Sequence, residues 1–275
     1  MKQEVYPYED IGQFPDLYDK IHKGKESAEL FARLAGARKR LLEPSVGTGR
    51  IAIELARRGF TVVGMDHSER MLSQARKKAQ REPVEVQANI ELILGDMRDF
   101  DLRRSFEMIY VPSSDFLHLL TLKDQISALK CFQAHLEADG LLVIQSFNVW
   151  SQPMLDVLLR NDGGRRDMGV RVDEDSGQRF VESWQCTFNS ADSVVTCWRH
   201  IEIFNKQGTC IQHVLNKSAW RICTITEMKL LLALTGFDLV GIYGDEHLSP
   251  FEHNSRMLVL VARPSTAHGR VEEHI

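Results

Sequence analysis

The stretch LLEPSVGTGR, Leu41 to Arg50, decides the fold. Its leucines and Glu43 read as the end of a strand. Gly47 and Gly49 then break the chain into a turn, and a helix follows in which Ile51 and Leu55 repeat at i, i+4. Glycines in such a turn let the backbone approach a ligand, and the first N–H groups of the helix face it. GTGRIA, Gly47 to Ala52, also satisfies the looser GxGxxA form of the dinucleotide fingerprint. The turn alone therefore leaves a nicotinamide or flavin enzyme open beside any other nucleoside-binding protein. Asp66 closes the second strand, TVVGMD, and a carboxylate there accepts hydrogen bonds from ribose hydroxyls under either reading. Glu43 separates the two, because a carboxylate so near the turn repels a pyrophosphate and suits a ligand carrying an ammonium group.

Working outward, short apolar runs alternate with amphipathic helical segments from about residue 39 to 147, which predicts βα units around a parallel sheet. IELILGD, FEMIYV and LLVIQSF supply its further strands. Ser68 and Thr121 are expected to cap helices, the second reaching Ala138 before Asp139-Gly140 turns the chain. Period-two patterns in RFVESWQCTF, SVVTCWRHIEIF and TCIQHVLNKSAW predict three antiparallel strands, with Phe180, Trp184, Cys186 and Phe188 on one face of the first. Thr224 and Glu227 then form a T-x-x-E capping box, and FDLVGIYG and RMLVLVAR close the α/β pattern.

The expected organisation is a helical segment over 1–38, an α/β core over 39–148 and 223–264, an antiparallel insertion over 149–222 and a disordered tail over 265–275. Apolar residues make up 43% of the 275 residues, enough for a full core. The net charge of −4 gives no footprint for nucleic acid. Five cysteines without a CxxC pair suggest neither a disulfide framework nor a metal site, and no apolar run is long enough for a signal peptide or a membrane span. A cytoplasmic protein is expected.

From Tyr18 to Pro264 the sequence resembles the class I S-adenosylmethionine-dependent methyltransferases of small-molecule type. EPSVGTGR is similar to their first motif, VVGMDHSERML to the second and ELILGDMRDF to the third, and IYVPSSDFLHLLT lies at their fourth strand. The resemblance implies a Rossmann-like, seven-stranded, mostly parallel sheet, with the inserted β block roofing an acceptor pocket or making a homodimer contact. It implies S-adenosylmethionine as cofactor and methyl transfer to N or O of a small molecule. A nicotinamide-dependent oxidoreductase and a non-catalytic nucleoside-binding protein are the alternatives.

The cofactor residues implied are Tyr18, Glu43, Ser45, Gly47, Gly49, Arg50, Asp66, His67, Met71, Gly95, Asp96, Met97 and Ser113. Many family members have glycine where this chain has Ser45, which would strain a serine held at positive φ by ~1 kcal/mol or more. His118 and Asp115 are the catalytic candidates, the first as a base titrating near neutral pH, the second to orient an amine. Against them stand helix packing or a cofactor-side role for His118 and capping for Asp115. Tyr8 and Tyr18 fall in a segment that resembles a lid. Arg221 is read as an anchor for an acidic group or as a structural ion pair.

Overall fold

The computed structural model describes residues 14–21, 25–159, 162–174 and 176–265. Tyr8, and the tail beyond Ser265, lie outside the described residues. Two helices, α1 (Phe14–Ile21) and α2 (Lys25–Ala35), precede β1 (Arg40–Glu43), α3 (Arg50–Arg57), β2 (Thr61–Asp66), α4 (Glu69–Ala79), α5 (Val84–Gln87) and β3 (Ile90–Leu94). Next come β4 (Phe106–Val111), a 3-10 turn (Asp115–His118), α6 (Leu122–His135), β5 (Leu136–Phe147) and α7 (Gln152–Leu158). Four long strands, β6 (Arg166–Val172), β7 (Arg179–Asn189), β8 (Val194–Phe204) and β9 (Cys210–Arg221), are followed by α8 (Ile225–Leu234), β10 (Phe237–Tyr243) and β11 (Met257–Pro264).

The main sheet has the order β10-β11-β5-β4-β1-β2-β3. β1 pairs in parallel with both β2 and β4, and β11 runs antiparallel to its neighbours β5 and β10. The chain thus leaves β1 in one direction through β2 and β3, and in the other through β4 and β5. A crevice opens at such a reversal, beyond the carboxyl ends of the central strands. Apolar side chains cover both faces of the sheet. Leu42, Ile109, Phe132 and Leu232 belong to one cluster, and Leu41, Phe31, Leu55 and Tyr110 to the other.

The capping chemistry forms as the sequence predicts. Ser68 Oγ accepts from Met71 N at 3.3 Å, Thr121 Oγ1 accepts from Asp124 N at 3.1 Å, and Thr224 and Glu227 make a full capping box. α6 stops at His135 rather than Ala138, because Leu136 turns extended and pairs with Phe106 of β4. Asp139-Gly140 accordingly lies inside β5, where the pairing with β4 slips register. The second sheet has four strands in the order β6-β7-β8-β9. β6 escapes a period-two reading because most of RDMGVRV is exposed. Among the described residues no helix is long and apolar enough to cross a membrane.

Gly64, in the middle of β2, shows how tightly the glycine turn sits on the sheet. A Cβ there would lie 2.5 Å from Val46 Cγ2 and 2.9 Å from Val46 Cβ. Gly64→Ala is expected to cost ~1–3 kcal/mol, the range for overpacking a filled core, measured as a lower urea midpoint at unchanged m-value. An unchanged midpoint would contradict this packing.

Candidate functional site

Loops from the carboxyl ends of β1, β2, β3 and β4 surround one cavity of about 280 Å³, and Tyr18 of α1 closes part of it. From the loop after β1 come Glu43, Ser45, Gly47 and Arg50; from β2, Asp66 and His67, with Met71 one turn into α4. Gly95, Asp96 and Met97 follow β3, and Ser113, Asp115 and His118 follow β4. Every site residue expected from the sequence therefore borders this cavity except Gly49. Gly49 has φ 74°, and a Cβ there would meet Ala75 Cβ at 3.2 Å and Ile53 Cδ1 at 3.3 Å, so it serves the turn and the packing of α3 on α4. Ser45 is not among the positive-φ residues, so the strain its substitution for glycine would entail is absent.

Asp66 braces the turn. One carboxylate oxygen accepts from Gly47 N at 2.8 Å and the other from Ser68 N at 2.9 Å. Each oxygen keeps a further lone pair for a ligand hydroxyl. Burial raises the Asp66 pKa above the usual carboxylate range, while the Ser68 and Gly47 amides and the nearby His67 draw it back. Val46 N donates to Met65 O at 2.8 Å, so the turn is stitched to β2 by backbone as well.

Deeper in, Glu43 is 2% exposed and accepts from the Tyr110 hydroxyl at 2.7 Å. Burial pushes its pKa up to about 8, against the pull of Tyr110 and Arg50. At neutral pH Glu43 is thus mostly protonated, and its ability to repel a pyrophosphate depends on a cation first drawing it into the ionised form. Asp115 is likewise raised, to about 7, by burial and by the negative charge of Asp66. Ser114, not Asp115, takes the cap position of the 3-10 turn, and no side chain caps it.

His118 is differently placed. Its Nδ1 lies 2.9 Å from Ala219 O and its Nε2 accepts from Trp220 Nε1 at 3.2 Å, which together fix the Nδ1–H tautomer. Burial lowers its pKa to about 4. The ring is neutral at physiological pH and both nitrogens are engaged in tying the 3-10 turn to β9, so it does not have the near-neutral titration expected of a base.

Ser113 and Ser114 have φ of 57° and 70°, a conformation that costs L-residues ~1–2 kcal/mol each. Hydrogen bonds hold it: Ser113 N donates to Gln145 Oε1 at 2.9 Å, and Phe147 N donates to Ser114 Oγ at 2.9 Å. Arg50 Nη2 donates to Ser113 Oγ at 2.8 Å, linking the first and fourth loops across the cavity. At the opposite end, Arg98 holds Asp96 (Nη2 to Oδ2, 2.6 Å) and reaches Asp124 at 3.4 Å. Burial raises the Asp96 pKa, but the Arg98 contacts outweigh it and leave it below the usual range.

The sequence reading missed Arg98 and the latch on α1. Thr48 Oγ1 donates to Asp19 Oδ1 at 2.6 Å, and Lys78 Nζ lies 2.9 Å from both Asp19 oxygens. Arg98, two residues beyond Asp96, could have been suspected from the motif; the latch spans residues too distant in sequence to be paired by pattern. Arg221 is structural: it donates to Gln125 and pairs with Glu227 at 3.2 Å.

A family model described as a methyltransferase domain matches residues 41–140. A dTDP-3-amino-3,6-dideoxy-alpha-D-glucopyranose N,N-dimethyltransferase of Streptomyces fradiae is 36% identical over 145 residues, 49% of this chain and 53% of that protein. The chain thus matches about half the length of that relative. A Geobacillus sp. (strain WCH70) protein whose name goes no further than methyltransferase is 31% identical over 209 residues, 75% of this chain and 77% of its own. Among solved structures, the CcbJ methyltransferase from Streptomyces caelestis superposes with a TM-score of 0.75 at 27% identity, covering 92% of this chain and 97% of that one.

The raised Glu43 pKa makes a stability prediction. A carboxyl that binds its proton more tightly folded than unfolded stabilises the fold below its ordinary pKa, and that contribution is lost as pH rises through the folded value. For Glu43 the window runs from 4.5 up to about 8. The Tm of the ligand-free protein is therefore expected to fall from pH 5 to pH 9 more steeply than that of Glu43→Gln, by scanning fluorimetry. Identical slopes would contradict the assignment.

Proposed function

The chain belongs to the S-adenosylmethionine-dependent methyltransferases, and from that premise we propose that it methylates an amine nitrogen on a small, sugar-like acceptor. One observation carries the reading: a single cavity at the sheet's reversal point runs from the Asp96–Met97 corner, past Gly47 and Asp66, to an acid poised near pH 7 at Asp115. The curated relative named for a 3-amino sugar nucleotide supports the acceptor class.

The residues present fit the cofactor. The Gly47 turn has no side chain to fill the approach, Asp66 has lone pairs left for ribose hydroxyls, and Asp96 and Met97 offer a polar and an apolar contact for adenine. Arg50, Ser113 and Tyr18 are assigned to its methionine end, with Ser45, His67, Met71 and Gly95 completing the walls. The cofactor, when bound, supplies an activated methyl group on a sulfonium. Holding an acceptor in line with it can account for ~7–11 kcal/mol of a barrier in favourable systems.

Asp115 is assigned the acceptor end. As carboxylate it takes the proton of the incoming ammonium and so exposes the nitrogen lone pair; a pKa near 7 suits that exchange at neutral pH. His118 is proposed as a positioning residue, since its neutral ring fixes the turn that carries Asp115. α1 is proposed as a lid held on the glycine turn by the Asp19 contacts, and the inserted sheet as the roof over the acceptor end.

Isothermal titration is expected to show S-adenosylhomocysteine binding that weakens about tenfold or more in Asp66→Ala, one lost pair of charged hydrogen bonds. No binding, or equal affinity in the variant, would refute the cofactor site. S-adenosylmethionine itself should bind more tightly as pH rises from 6 to 8.5, because a cationic ligand favours ionised Glu43 and Asp115. Turnover of a dTDP-linked 3-amino sugar, followed as S-adenosylhomocysteine release, should fall ~100-fold or more in Asp115→Asn. Its loss of rate below about pH 7 should disappear with the carboxyl; a variant with an unaltered pH profile would exclude Asp115 as the base.

A further inference from the structure

The corner of the cavity at Asp96 and Met97 carries a hydrogen-bond network centred on Arg98. Asp96 Oδ1 accepts from Arg98 N at 2.9 Å and from Arg98 Nε at 3.0 Å. Asp96 Oδ2 accepts from Nε at 3.0 Å and from Nη2 at 2.6 Å. Arg98 Nη1 reaches on to Asp124 Oδ1 at 3.4 Å, in the first turn of α6. Asp124 is fixed in turn, since Thr121 Oγ1 donates to its Oδ2 at 2.6 Å and accepts from its N at 3.1 Å. Asp96, Arg98, Thr121 and Asp124 all border the cavity.

The turn itself does not require the guanidinium. Asp99 N donates to Asp96 O at 3.1 Å, and the bond from Arg98 N to Asp96 Oδ1 already makes an Asx turn. What the Arg98 side chain adds is charge and a fixed orientation, because a planar guanidinium bonded to both oxygens sets the plane of a carboxylate. Asp96 still keeps 36% of its side chain exposed, so part of the carboxylate stays open to a ligand. With about four lone-pair sites, it can accept a further hydrogen bond.

Around Asp96 the other titratable groups are Asp99 across the turn, His67 from the end of β2, and Asp124 and Cys131 from α6. Burial works to raise the Asp96 pKa; the Arg98 contacts, with a smaller pull from His67, reverse this and leave it lowered. A base laid on this corner buries Asp96 further, and Arg98 is the main group opposing the protonation that burial favours.

We infer that Arg98 is a positioning residue for base selection, holding Asp96 as an obligate acceptor so that the corner takes a purine with an exocyclic amino group and rejects one with an exocyclic oxygen. The inference rests on the cofactor reading above. Adenine's amino group donates to a carboxylate, whereas the oxygen of hypoxanthine is a second acceptor and repels it. An aspartate free to take a proton would donate to that oxygen instead. Arg98 closes this route by its charge, and its own Nε and Nη2 are committed to Asp96. The ring N–H of hypoxanthine meets the acid only if the base slides along the corner, which a ribose held by Asp66 opposes.

The test is isothermal titration of the full chain with S-adenosylhomocysteine and with S-inosylhomocysteine, at pH 5.5 and pH 7.5. The native protein should prefer the adenosine ligand by about 100-fold or more at both pH values, as befits a site built around one charged hydrogen bond. Arg98→Met should cut that ratio about tenfold at pH 7.5, and further at pH 5.5, where Asp96, no longer opposed by Arg98, takes up a proton more readily. Arg98→Gln, also neutral, should behave in the same way and replaces the methionine variant if that one does not fold. Arg98→Lys, which keeps the charge, should retain most of the ratio. A ratio unchanged in the neutral variants, including the case where both ligands weaken together, would overturn the inference and leave Arg98 as a brace for the turn. A native ratio near one with S-adenosylhomocysteine still bound would overturn it while sparing the cofactor site. No binding of either ligand would refute the cofactor site and the inference with it.

Discussion

Asp66 is the fixed point of the structure. Its carboxylate ties the amide of Gly47, in the loop after β1, to the amide of Ser68, at the start of α4. Two loops that would otherwise move independently are thereby held at one spacing, and the lone pairs left over face the cavity. Gly64 beneath and Val46 beside it leave no slack, because the turn lies directly on β2. The reversal of strand order around β1 supplies the crevice; Asp66 determines the shape of its rim.

Around this rim the site concentrates acids. Glu43 and Asp115 both pay for burial by holding protons up to about neutral pH, whereas Asp96, paired with Arg98, stays ionised. Three of the carboxyls lining the cavity are thus divided by environment, Glu43 and Asp115 raised by burial and Asp96 lowered by its Arg98 partner. Such a division suits an enzyme whose cofactor loses positive charge as the methyl leaves. Tyr18 borders the same cavity, and the Ser113–Ser114 turn next to Asp115 is held at positive φ.

Much of this was legible in the sequence. The strand-turn-helix at Leu41–Arg50 and the acid at Asp66 have short-range signatures, because backbone approach requires glycine and a strand end must be closed by a polar group. The caps at Ser68, Thr121 and Thr224 are local for the same reason. What the sequence did not disclose depends on tertiary pairing. Leu136 leaves its helix for β4, β6 joins a sheet without an alternating pattern, and Asp19 meets Thr48 and Lys78 only after α1 folds back. Nor does the sequence reveal that His118 lies against Trp220 with both ring nitrogens engaged, or that burial lowers its pKa to about 4.

The most direct test is a crystal structure of the protein with S-adenosylhomocysteine. Both ribose hydroxyls should lie within hydrogen-bond distance of Asp66, with adenine against Met97 and the sulfur directed toward Asp115. A nucleoside bound elsewhere, or bound in this crevice with its ribose turned away from Asp66, would contradict this placement.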